Sequence, residues 1–86
     1  MKKIYENYYV SPNVEVFNRF NKKLSPCNNG RGYLVLVLTV NGKRFTKAIH
    51  RLVAEAYIEN PNGLEEVNHK DGNRLNNNME NLEWDT

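Results

Sequence analysis

The chain has 86 residues, 40% hydrophobic and 26% charged, with a formal net charge of +2. That is room for one small domain with a modest core, in which every apolar element has to pack on another. No apolar run is long enough to span a bilayer, the opening Met1–Asn7 has no apolar signal-peptide core, and the only cysteine, Cys27, allows neither an internal disulfide nor a CxxC zinc knuckle, so the expected setting is a reducing cytoplasm with no membrane partner.

Tyr8-Tyr9-Val10 is a short β-favouring run closed by Ser11-Pro12-Asn13, and Val14 to Asn18 alternates as a strand does. Arg19 to Lys23 is polar and basic and predicts a turn. Ser25 to Gly30 has loop composition. Tyr33 to Val40 is the clearest strand, Val-rich and apolar on both faces, which predicts a central position with cover on both sides. Asn41-Gly42 follows, the strongest short hairpin signal, because a type I′ turn needs positive φ at both central residues. The return strand is Lys43 to Ile49, with Phe45, Lys47 and Ile49 on one face and Arg44, Thr46 and Ala48 on the other.

The period then changes. From His50 to Glu59, the residues Leu52, Val53, Ala56 and Tyr57 fall on one helical face, and Asn60-Pro61-Asn62-Gly63 stops the helix. The helix is expected to lie across the sheet and cover Val35 and Val37 or their opposite-face neighbours. Glu66 to His69 reads as a short strand, Asp71-Gly72-Asn73 as a turn, and Leu75 to Met79 as an Asn-rich loop. Asn81 to Trp84 reads as a returning strand, with Leu82 and Trp84 sharing a face. The fold class is therefore α+β: an antiparallel sheet with one packed helix, then a β-hairpin. The whole of residues 1–86 reads as one domain, a basic β-rich lead-in (1–49) followed by the helix and hairpin (50–86).

Charge is spread unevenly. Met1 to His50 carries nine basic and two acidic side chains, +7; Arg51 to Thr86 carries three basic and eight acidic, −5. A basic half fits a polyanion-facing surface, and it equally fits a solvated face with no partner. Lys43, Arg44, Lys47 and Arg51 are the candidate phosphate contacts, which would add salt dependence without sequence readout. There are fifteen asparagines, many expected only to shape turns.

One ordered string is more specific. His50-Arg51-Leu52-Val53-Ala54-Glu55-Ala56-Tyr57-Ile58, Asn60-Pro61, Val67-Asn68-His69-Lys70-Asp71-Gly72-Asn73-Arg74-Leu75-Asn76-Asn77 and Glu80-Asn81-Leu82-Glu83-Trp84 together resemble the HNH family of phage and intron homing endonucleases. The Gly32-Tyr33-Leu34 strand and the Asn41-Gly42-Lys43 turn match the β-rich lead-in of that family. The resemblance implies a ββα-metal unit. His69 matches its general base, Asn68 its first metal ligand, and Asn81 the middle Asn that fixes the loop and orients the His. A neutral imidazole can take a proton from water near pH 7, and Mg²⁺ or another divalent cation would neutralise charge on the phosphate and the leaving 3′-oxygen.

The sequence departs from the family pattern at two points. Position 68 is a neutral Asn, where a carboxylate would bind Mg²⁺ better. After Trp84 only Asp85-Thr86 follows, so the family's next helix, with the last ligand, has no counterpart and the ββα-metal unit reads as incomplete. Asp71 and Asp85 are conceivable substitutes that nothing in the match supports. The expectation is a domain that interacts with double-stranded DNA, binds its cation weakly, and hydrolyses phosphodiesters poorly or not at all. The alternative is an inactive HNH-derived phage protein that binds and inhibits a bacterial defence nuclease. His50 and Trp84 are expected to be structural, the first a hydrogen-bonded residue at the strand–helix junction, the second core.

Overall fold

A computed structural model describes residues 1–5 and 7–86. The order of elements is β1 (Lys2–Ile4), β2 (Tyr8–Val10), β3 (Val16–Asn18), β4 (Cys27–Asn28), β5 (Leu34–Val40), β6 (Lys43–Ala48), α1 (Ile49–Tyr57), β7 (Glu66–His69) and β8 (Leu82–Asp85), with a 3-10 turn at Met79–Asn81 just before β8. The architecture is α+β with antiparallel pairing and one helix, as expected.

The first half forms two three-stranded sheets, β1-β2-β3 and β4-β5-β6, where one sheet was expected. The reason is local closure. Ser11 and Glu15 close the β2–β3 connection, the Ser11 N–H donating to the Glu15 carbonyl (2.8 Å) and the Glu15 N–H to Ser11 Oγ (3.1 Å). Beyond β3 the chain turns at Asn18–Lys22 and folds back, and the Leu24 N–H donates to the Val16 carbonyl (2.8 Å). The outer edge of β3 is thus occupied by its own continuation and is not available to β5.

β5 is central between β4 and β6, as its apolar run predicts. The β5–β6 turn has Asn41 at φ 53° and Gly42 at φ 77°, the backbone that Asn-Gly favours. Cover on both faces of β5 is not observed. Leu36 and Leu38 are buried, Leu38 completely, whereas Val37 is 52% exposed. Among the described residues one helix packs on this sheet, and it lies over the leucine face.

α1 begins at Ile49, one residue earlier than expected, and ends at Tyr57. Its N-cap, Ala48, contributes no side-chain bond, and the first turn has no acidic residue. The helix therefore depends on packing of Ile49, Leu52, Val53 and Ala54, all buried. At its end the Ile58 N–H closes onto the Ala54 carbonyl (3.0 Å). Asn60 then brackets the next loop, donating from Nδ2 to the Leu64 carbonyl (2.7 Å) and accepting from the Leu64 N–H at Oδ1 (2.9 Å).

One apolar cluster joins the units: Ile4, Tyr8, Val10 and Val16 from the first sheet, Leu36 and Leu38 from the second, Ile49, Leu52 and Val53 from α1, and Leu82 from the last hairpin. Two tyrosines fasten its edges. Past Val35, β5 has no strand partner on its β4 side among the described residues, and the Thr39 N–H there donates to Tyr8 Oη (2.8 Å). Tyr57 Oη donates to the Val10 carbonyl (2.6 Å), so a helix residue satisfies a fully buried strand residue.

This packing predicts a sharp contrast between neighbours on β5. Leu38→Ala is expected to cost about 3 kcal/mol, lost side-chain burial plus the cavity left behind. Val37→Ala should cost under about 1 kcal/mol, since much of its side chain already meets water. Urea unfolding of both variants by circular dichroism measures the difference.

Candidate active site

The last hairpin positions the site. β7 and β8 pair in the register Glu66↔Asp85, Val67↔Trp84, Asn68↔Glu83, His69↔Leu82. Opposed residues share a face, so His69 points inward with buried Leu82, and Asn68 points outward with Glu83. His69 is 7% exposed and Asn68 is exposed. The Lys70 N–H donates to the Asn81 carbonyl (2.7 Å), so pairing extends one residue past the strand before the chain leaves it.

The loop from Lys70 to Asn78 is pinned by Asn81. Its Oδ1 accepts from the Asp71 N–H (3.1 Å), and its Nδ2 donates to Asp71 Oδ1 (2.9 Å) and to the Asn76 carbonyl (2.9 Å). Asp71 also accepts from the Asn73 N–H (2.8 Å) and from Asn76 Nδ2 (2.9 Å). These donors, Asn76 first, hold the Asp71 carboxyl below the usual aspartate range. The carboxylate is committed to loop structure. Asn81 thus ties the loop beside the His.

Three rings surround the inward face. His50, in the first turn of α1, lies 5.0 Å from the His69 ring and 5.2 Å from Tyr33, with Tyr33 6.2 Å from His69. The Arg74 guanidinium sits 4.8 Å over Tyr33 and donates to the Arg31 carbonyl (2.8 Å). His69 Nε2 is 2.8 Å from Asn77 Oδ1, and Asn77 is itself only 4% exposed. Residue order did not single out Tyr33, Arg74 or Asn77; the Asn76-Asn77-Asn78 tract was the one available signal for the last. His50 sits at the strand–helix junction as expected, but through ring packing. Burial, then the neighbouring charges of His69 and Arg51, push its pKa down to about 4.

The outward face carries the oxygen donors. Asn68 Nδ2 donates to Glu83 Oε1 (3.0 Å), which leaves Asn68 Oδ1 and the remaining carboxylate lone pairs toward solvent. This donor set fits a hard divalent ion that retains much of its water and takes further oxygens from phosphate. Among the described residues, no group of three His, Cys, Asp or Glu side chains could hold a metal. Asp71 is occupied as described, and Asp85 accepts from the Thr86 N–H (2.8 Å).

The four basic candidates divide. Lys43 and Arg44 are exposed at the β5–β6 turn, and among the described residues neither has an ion-pair partner. Lys47 pairs with Glu55 (3.1 Å) beside the Tyr5 ring; burial opposes its charge, but bonds with Tyr5 and Glu55 outweigh burial and raise its pKa. Arg51 donates to the Glu65 carbonyl (2.6 Å) and lies 5.7 Å over Trp84. Trp84 is half-buried, its indole N–H donating to the Ile58 carbonyl (3.0 Å).

The candidate site is thus a β-hairpin on an α+β scaffold that bears an inward imidazole, an outward Asn beside it and an Asn-pinned loop. Residues 47–86 match the HNH endonuclease family. The DNA endonuclease I-HmuI of Bacillus phage SP01 is 42% identical over 95% of this chain and 48% of its own length. An uncharacterized HNH endonuclease, L245, of Acanthamoeba polyphaga mimivirus is 47% identical over 93% of this chain and 24% of its own. The H-N-H endonuclease F-TflII of Escherichia phage T5 is 37% identical over 91% and 42% respectively. The solved structure of the HNH homing endonuclease I-HmuI superposes with a TM-score of 0.81 at 39% identity, over 93% of this chain and 47% of that one. The chain belongs to the HNH endonuclease family. It spans about a quarter to a half of the length of these curated relatives.

The half-buried His50 imidazole has a consequence for stability. Unfolded chains take up a proton at His50 near pH 6.5, and the folded chain refuses it until about pH 4. Between those values the unfolded state binds more protons, so stability falls as pH drops. The urea midpoint should decline from pH 6.5 to about 4, and His50→Gln should flatten that decline. The Asp71 contribution is lost only below its unfolded value of 3.8, under this window.

Proposed function

We propose that this chain is the nuclease unit of a DNA endonuclease that hydrolyses phosphodiesters in double-stranded DNA, with His69 as general base. The observation that carries the reading is the inward imidazole of His69 at the end of β7, beside a loop that Asn81 immobilises. His69 accepts a proton from a water as its oxygen attacks phosphorus; the P–O bond to the 3′-oxygen breaks and that oxygen leaves with the electron pair. Asn68, with Glu83 beside it, would hold the divalent cation, which when bound neutralises charge on the phosphate and the leaving oxygen. HNH endonucleases typically use such a metal. With one amide oxygen and one carboxylate from this chain, the cation should bind weakly and turnover should be slow.

Asn81 acts through the loop, as a positioning residue. Lys43 and Arg44, exposed at a hairpin tip, are the best placed of the basic candidates to reach phosphates; Lys47 and Arg51 would first have to leave their present contacts. Inhibition of a defence nuclease has no feature of this site in its favour.

Purified chain with supercoiled plasmid and Mg²⁺ or Mn²⁺ tests the catalytic reading. The expected outcome is nicking that disappears in His69→Ala and on chelation. Equal nicking by wild type and His69→Ala, or none by either, removes it. The electrostatic reading has its own measurement. Duplex affinity against salt should lose about 0.9 in log–log slope for each phosphate contact removed, so Lys43→Gln with Arg44→Gln should lower the slope by roughly 2. An unchanged slope would move DNA contact to another face.

A further inference from the structure

Neutral imidazole carries one N–H and one lone pair, and a base works only if the lone pair faces the proton it must take. Something must therefore decide which nitrogen of His69 is protonated. We infer that Asn77 is the positioning residue that does so: its Oδ1 accepts from Nε2–H, which leaves Nδ1 as the proton-accepting atom of the site.

The geometry is close and enclosed. His69 Nε2 and Asn77 Oδ1 are 2.8 Å apart, with both residues buried. With the amide oxygen toward the ring, as it stands, a proton on Nδ1 instead would leave two lone pairs facing each other at that distance and a buried acceptor unsatisfied. The bond makes Nε2–H the favoured tautomer and holds the ring at one angle.

The neighbours of Asn77 hold the backbone that carries its side chain. Asn76 precedes it, with its N–H on the Asn73 carbonyl (3.1 Å), its Nδ2 on Asp71 Oδ2 (2.9 Å) and its carbonyl accepting from Asn81 Nδ2 (2.9 Å). Asn78 follows it, with its Nδ2 on Asn76 Oδ1 (2.9 Å) and its carbonyl accepting from the Asn81 N–H (2.9 Å). Asn81 therefore grips the backbone on both sides of Asn77. The Asn-Asn-Asn tract separates into two residues that hold the loop and one, between them, that faces the base.

The tautomer can be read without DNA, so the inference stands apart from the proposed hydrolysis, although its catalytic meaning rests on that reading. Long-range proton–nitrogen correlation spectra of the ¹⁵N-labelled chain at pH 7.5 distinguish the protonated from the bare ring nitrogen. His69 is expected to show Nε2–H in the wild type and in Asn77→Asp, whose carboxylate can only accept. Asn77→Ala should lose the single tautomer. Nδ1–H in the wild type, or an unchanged Nε2–H in folded Asn77→Ala, would overturn the inference. If Asn77→Ala does not fold, the wild-type spectrum and that of Asn77→Asp decide. In plasmid nicking, Asn77→Ala should lower kcat by about 10- to 100-fold with duplex affinity within about twofold, and Asn77→Asp should recover much of the rate. Absence of wild-type nicking would sink the hydrolysis and leave the tautomer result intact; nicking alongside Nδ1–H would do the reverse.

Discussion

The site depends on one reciprocal contact, the Asn81 amide against Asp71 and Asn76. A two-stranded hairpin of four residues a side is marginal alone, and its connecting loop is long and polar. A single amide resolves this by donating and accepting at once. Asn81 Oδ1 takes the Asp71 N–H, and its Nδ2 reaches both the Asp71 carboxylate and the Asn76 carbonyl. A carboxylate at 81 could accept but not donate, and it would face Asp71 at close range. A longer amide would move the donor by a methylene. Asn is the side chain that meets all three requirements.

The hairpin is attached to the domain through α1. The helix touches both sheets and the last two strands, and Leu82 is its counterpart on β8, only 2% exposed. Leu82 opposes His69 across the hairpin. The residue that anchors the hairpin in the core thus also fixes the direction of the imidazole, and the first turn of α1 supplies His50 against that ring. Core packing and site geometry share the same few side chains, so a variant that loosens the α1–β8 contact should disturb both.

Elements with strong local signals could be read from residue order. Asn41-Gly42 named its turn, the spacing of Leu52, Val53, Ala56 and Tyr57 named α1, and Glu66 to His69 named β7. The strands that escaped are β1 and β4, of three and two residues, which exist because Val10 and Val35 offer them an edge. The exposure of Val37 was illegible for a related reason: an apolar residue in a strand says nothing about how many helices are available to cover it. In the candidate site, the spaced motif around Asn68, His69 and Asn81 falls on and around one hairpin. Tyr33, Asn77 and Glu83 were not legible, since each enters through a contact across the fold, and nothing in a run of three asparagines distinguishes the middle one.

The uneven charge takes on a different meaning once placed on the fold. The second half is acidic, yet its site loop is not: between Lys70 and Asn81 two basic side chains balance two acidic ones. Much of the excess negative charge, Glu55, Glu59 and Glu65, instead lines a hollow of about 790 Å³ with Arg51 and Trp84, along α1 and the loop that follows it. Carboxylates near a helix C-terminus are mildly unfavourable with the helix dipole, and the Arg51 guanidinium, reaching the same hollow from the first turn of α1, partly offsets them. Amides take over the structural work of the loop, so the surface beside His69 can be rigid without carrying the negative charge that would repel a phosphate. The asparagine content and the charge asymmetry are in that sense one property: polar groups that must be bonded within the loop are mostly neutral, and the acidic groups are concentrated elsewhere.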